Sequence, residues 1–134
     1  MQSIFQYTPS PTGEPVLEAI DRECLAGMWR DVGATLFTRL TKLFETERDQ
    51  LTADMQTALM SDDRQSLARA AHSLKTSAAY ICAARLREAA MRLERGAPDI
   101  ERAALERLVE AVIAETASVA GELPLAIAEA AQSA

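Results

Sequence analysis

A chain of 134 residues, 49% of them apolar, is long enough for one domain around one core and too apolar to stay disordered. Aromatic residues are only 4%, and the abundance of Ala, Leu, Glu and Arg favours helix over sheet. A formal charge of -6 disfavours nonspecific binding to nucleic acid, which needs a cationic surface to displace counterions.

The first fifteen residues carry Pro9, Pro11, Gly13 and Pro15 in a polar setting and are expected to form a flexible leader, with Ile4, Phe5 and Tyr7 available to dock on the domain. Between Leu17 and Arg95 there is no proline, and Gly27 and Gly33 are the only glycines, itself a helical signal. A short first helix is expected over 21–32, with Asp21 as N-cap and Cys24, Leu25, Met28, Trp29 and Val32 on one face. Gly33 marks a break. A long helix then follows over 34–60, with Leu36, Phe37, Leu40, Leu43, Phe44, Leu51, Met55 and Leu59 as its apolar stripe.

Ser61, Asp62 and Asp63 read as a turn and an N-cap for a third helix reaching about residue 81. A fourth helix is expected over 84–95, with Leu86, Ala89, Ala90 and Leu93 inward. Gly96, Ala97, Pro98 and Asp99 combine a helix stop with a helix start. The fifth helix carries Leu105, Leu108, Val112 and Val119 to about residue 120, where Gly121 and Pro124 are expected to end it before an Ala-rich tail with helical propensity. The expected fold is all-α: an up-down-up-down four-helix bundle with an additional short N-terminal helix. The corresponding divisions are a leader over 1–15, the bundle over 16–121 and a tail over 122–134.

Cys24 and Cys82 are the only cysteines, and with no signal-peptide pattern at the N-terminus they are expected as reduced thiols of a cytoplasmic protein. No apolar run is seen to approach the roughly 20 residues that cross a bilayer, so no membrane partner is expected. No spacing suggests a metal site, and Asp62-Asp63 is accounted for by a helix cap.

His72, the only histidine, is the informative residue. On the third helix each residue advances about 100°, so Leu67, Ala70, Ala78 and Ile81 cluster around Leu74, while His72 falls about 160° away from Leu74. That angle removes a core role. Ala68, Arg69, Lys75 and Thr76 are its neighbours at three and four residues, with Ala79 one turn further. Two cations and otherwise small side chains would let another protein approach the ring and would offset the charge of a phosphorylated imidazole. Solvated helix charges and ordinary helix-forming alanines account for the same spacing equally well.

The run Ala71-His72-Ser73-Leu74-Lys75-Thr76-Ser77-Ala78-Ala79 resembles the A-H-x-L-K-G-S-A-A signature of histidine-containing phosphotransfer (HPt) domains. The likeness continues through Ala83, Leu86, Ala90, Leu93 and Glu94, and upstream through ALMSDDRQSLARAA. It implies that His72 is a phosphoacceptor, that Lys75 steadies the phosphoryl group, and that Glu94 orients the imidazole. It further implies a phosphorelay role between receiver-domain aspartates, with response-regulator receivers and a hybrid histidine kinase as partners. Ala68, Arg69, Thr76 and Ala79 would then meet the partner. No cofactor is expected on this chain, the Mg²⁺ belonging to the receiver. Two departures stand out: Thr76 replaces the family's glycine after the lysine, and Cys82 replaces a later glycine.

H-S-L-K-T-S also resembles the H-E-L-R-T-P of histidine-kinase dimerisation helices, but Ser73 and Ser77 replace the acidic residue and the proline. Five scattered glycines form no nucleotide cradle, so a phosphocarrier without ATP-dependent kinase activity is expected. The alternative is a docking adaptor or inhibitor of a receiver or kinase that is never phosphorylated; a structural bundle would predict nothing special about His72. A monomer is expected, and Met1 with its polar leader is expected of a free-standing carrier.

Overall fold

A computed structural model describes residues 18–133, so the expected leader, with Ile4, Phe5 and Tyr7, lies outside the described residues. Four helices follow one another among the described residues: α1 over Arg22–Met60, α2 over Arg64–Tyr80, α3 over Ala84–Gly96 and α4 over Arg102–Ser133. Each packs on the next, and α4 closes on α1, giving the antiparallel bundle expected of short connections at 61–63, 81–83 and 97–101.

The capping residues set the boundaries. Asp21 accepts from the Cys24 amide at 3.0 Å, and Asp63 accepts from the Ser66 amide at 3.1 Å, satisfying donors that the first turns leave open. Gly33, at φ 82 and ψ 158, breaks the helical path inside α1 where a break was expected, so the segment before it stands as a short arm kinked off the long helix. Only glycine adopts that backbone readily.

The α1 stripe departs from the expected one. Phe37, Thr41, Phe44, Met55 and Ala58 are buried, whereas Leu36 and Leu43 are exposed. Phe37, Thr41 and Phe44 step by four and three, and half-buried Arg48 and Leu51 continue that register to Met55 and Ala58, the narrow seam of a bundle helix. That register places Thr41 inside, where its hydroxyl donates to the Thr38 carbonyl at 2.9 Å. The α2 face is as expected, with Leu67, Ala70, Ala71, Leu74 and Ala78 buried and Ile81 just beyond the helix.

The expected end at Gly121 and Pro124 is corrected: α4 runs through both to Ser133. Pro124 is exposed, so the carbonyl its missing amide leaves free lies on the solvent side of the helix. Leu123, Ala126 and Ala130 carry the buried stripe of Leu105, Val109, Val112, Thr116 and Val119 onward at the same spacing. Tertiary burial on one face therefore outweighs local breakers. Within Arg102–Gln132 an 18-residue window reaches a mean hydropathy of 1.4, so by length and composition alone this helix is apolar enough to cross a membrane. Its regular inward stripe is what a bundle helix requires.

The two cysteines are not reduced thiols. Cys24, on the first turn of α1, and Cys82, in the α2–α3 turn, form a disulfide with Cα atoms 5.9 Å apart, an ordinary spacing for the bond. Fifty-eight residues separate them in sequence, and only the packing of α1 over that turn brings them together.

At the opposite end, Arg64 anchors the α3–α4 connection by donating to the Ala97 carbonyl at 3.2 Å and to the Ile100 carbonyl. Replacing Arg64 by Ala leaves both carbonyls without this charged donor. A loss of about 1–3 kcal/mol in urea unfolding is expected; an unchanged midpoint would mean water replaces the guanidinium at no cost.

Candidate functional site

His72 lies at mid-length on α2, on the side opposite Leu74, and 59% of its side chain is exposed. The neighbouring α3 contributes Glu94, directly after the buried Leu93, so core packing of Leu93 fixes where the carboxylate stands. Glu94 Oε2 lies 2.7 Å from His72 Nδ1, and Glu94 Oε1 accepts from Lys75 Nζ at 2.6 Å. One carboxylate thus joins the histidine to the lysine.

This geometry selects a tautomer. An ionised carboxylate can only accept, so the Nδ1 facing it must carry the proton. In the neutral ring the lone pair then sits on Nε2, the nitrogen farther from the helix. A hydrogen bond to one ring nitrogen thereby leaves the other as a nucleophile.

Glu94 stays ionised because the Lys75 hydrogen bond, the largest influence, outweighs the opposing push from burial, and the His72 hydrogen bond adds to it, holding the carboxyl below the ordinary 4.5. The favourable interactions of a lowered carboxyl are complete above its unfolded value and are lost as pH falls through the folded one. An NMR titration of the Glu94 carboxyl should therefore show a midpoint below 4.5, and Lys75→Met should raise it. A midpoint at or above that value in the parent would contradict the shared carboxylate.

The other expected residues divide. Ala68 and Arg69 line a shallow groove with His72, Glu94, Gln65 and Ser73. Arg69 turns back along α2, donating to Ser66 Oγ at 3.2 Å, while Ser66 Oγ donates to Asp63 Oδ2 at 2.7 Å. It joins the N-terminal cap of α2 and makes no bond to Glu94. Thr76 is exposed, and its hydroxyl donates to the His72 carbonyl at 3.2 Å, so its polar group is spent on the helix backbone. Ala79 is half-buried and does not line the groove.

Gln65 and Ser73 were not among the expected contacts. Gln65 lies seven residues before His72, about 20° from it around the helix, and extending the wheel by one turn would have found it. No group of three or more potential metal ligands occurs among the described residues.

The model of the Hpt domain family matches residues 39–132, more than half of the chain. The chain belongs to the Hpt domain family. Searches of curated proteins and of solved structures each returned no match. The role of Hpt domains is phosphotransfer in two-component signalling, in company with receiver and kinase domains, and they are phosphocarrier modules, not kinases. The matched span takes in His72, Lys75 and Glu94 and leaves the arm before Gly33 outside.

Proposed function

We propose that this Hpt domain relays a phosphoryl group between receiver-domain aspartates, with His72 as the carrier. The observation that carries the reading is the exposed His72 ring held at Nδ1 by Glu94, which leaves Nε2 nucleophilic and open to a partner. In the forward step Nε2 attacks the phosphorus of an aspartyl phosphate in line. The N–P bond forms as the O–P bond breaks, and the receiver's carboxylate leaves. Return to a second receiver is the same step reversed. Lys75 and the receiver's own Mg²⁺ would offset the charge of the moving group.

On this reading the receiver would sit on the groove lined by Gln65, Ala68, Arg69 and Ser73 around His72, with Thr76 and Ala79 at its margin. A response-regulator receiver and a hybrid histidine kinase are the partners this reading requires, in the cytoplasm, with the carrier acting as a monomer. It needs no ATP, since the chain's five glycines form no phosphate-binding run.

The test is transfer of label from a phosphorylated receiver to this protein, followed by peptide mapping. Label that is acid-labile, alkali-stable and confined to the His72 peptide is expected. Receivers that bind tightly yet never transfer would replace this reading with that of a docking inhibitor.

A further inference from the structure

The arm over 18–32 is fastened to the bundle in two ways. One is covalent, through Cys24–Cys82. The other is a set of contacts independent of sulfur: the Asp21 amide donates to the Cys82 carbonyl at 2.9 Å, the Ala19 amide donates to Glu122 Oε2 at 3.0 Å, and Arg22 pairs with Glu122 and Glu129 of α4. Ile20 and Leu25 are fully buried. None of these contacts runs through the sulfur link.

Three features distinguish this disulfide from a plain staple. Cys82 has φ 58, a backbone conformation natural to glycine, so a cysteine stands where a side chain is disfavoured. Gly33, at φ 82 with nothing within 4 Å of the place its Cβ would take, is an open joint between the arm and the rest of α1. Cys24 is half-buried while Cys82 is fully buried, so the Cys24 side is the more accessible end of the bond.

We propose that Cys24–Cys82 is an exchangeable disulfide, a redox site opened by a dithiol reductant and closed by a disulfide oxidant, which sets how firmly residues 18–32 are held on the α2–α3 turn. A reductant thiolate attacks the Cys24 sulfur; the Cys24–Cys82 bond breaks, and Cys82 leaves as a thiolate that takes up a proton. The reductant's second thiol then displaces Cys24, which is protonated in turn. Two electrons pass to the protein and the reductant departs as its own disulfide. Oxidation by a disulfide such as oxidised glutathione reverses each step. The site lies away from the His72 nucleophile, and the proposal does not depend on phosphotransfer.

The experiment is amide hydrogen exchange, read by mass spectrometry, on the full chain oxidised with glutathione disulfide and reduced with dithiothreitol. Trp29, the only tryptophan, packs on Phe37 at 5.2 Å between ring centroids and supplies a fluorescence signal from the arm. Reduction should raise exchange over 18–32 on the order of tenfold or more, with the middle of α2, α3 and α4 unchanged and full reversal on reoxidation. Cys24→Ser, and separately Cys82→Gly, which restores an unstrained turn, should match the reduced protein and ignore dithiothreitol. Failure of glutathione disulfide to link the cysteines would overturn the proposal. So would identical exchange in both redox states, or a bundle unfolded throughout in the reduced parent and in both variants.

Discussion

His72→Gln is expected to abolish phosphoryl labelling completely while leaving the melting curve almost where it was. The glutamine amide can still donate toward Glu94, but it offers no lone-pair nitrogen to attack phosphorus. The ring it replaces is 59% exposed and contributes little to the core, and the Lys75–Glu94 pair survives. Substitutions at such surface positions usually change stability by less than about 0.5 kcal/mol. Circular dichroism and a thermal melt should therefore coincide with the parent, while label from a phosphorylated receiver falls to background. Persistent labelling of this variant would remove His72 from the chemistry.

Leu74→Ala, two residues along the same helix, should do the reverse. Leu74 is fully buried at the centre of the α2 inner face. Truncating it removes apolar contact and leaves a cavity that the surrounding α-helices fill only in part, a loss of about 2–5 kcal/mol. For a domain of this size the melting temperature should fall on the order of 10 °C. At a temperature well below that lowered midpoint, transfer per folded molecule should remain near the parent's, because the His72–Glu94–Lys75 group sits on the outer face. A loss under about 1 kcal/mol would mean that the α2 inner face is loosely packed. Together the two variants separate the chemistry of one helix face from the stability of the other.

Helix α2 was readable because its pattern is unambiguous: small and apolar residues recur around Leu74, and a charged or polar residue occupies nearly every outward position. Helix α1 was harder. Leu36 and Leu43 suggested an inward stripe, yet both are exposed, and Thr41 is buried in their place. An apolar count treats each leucine as a vote for the core, whereas the bundle seam admits only positions in register with the neighbouring helices. Thr41 is tolerated there because its hydroxyl is satisfied within its own helix.

Helix α4 shows the same limit differently. Gly121 and Pro124 are local stop signals, but Leu123, Ala126 and Ala130 bury the face that follows them. Burial acts over the whole length of the helix, and one missing amide on the solvent side does not offset it.

By itself the sequence determined the helical class, the caps at Asp21 and Asp63, the break at Gly33 and the outward direction of His72. Each of these follows from interactions within a few residues, or from the helical period. Tertiary structure decided what depends on distant segments meeting. It brought Glu94 between His72 and Lys75, which selects the ring tautomer. It also placed Cys24 against Cys82 and turned an expected pair of thiols into a disulfide. Periodicity assigns a residue to a face of its own helix, but the distance between two helices is set by how their buried faces pack.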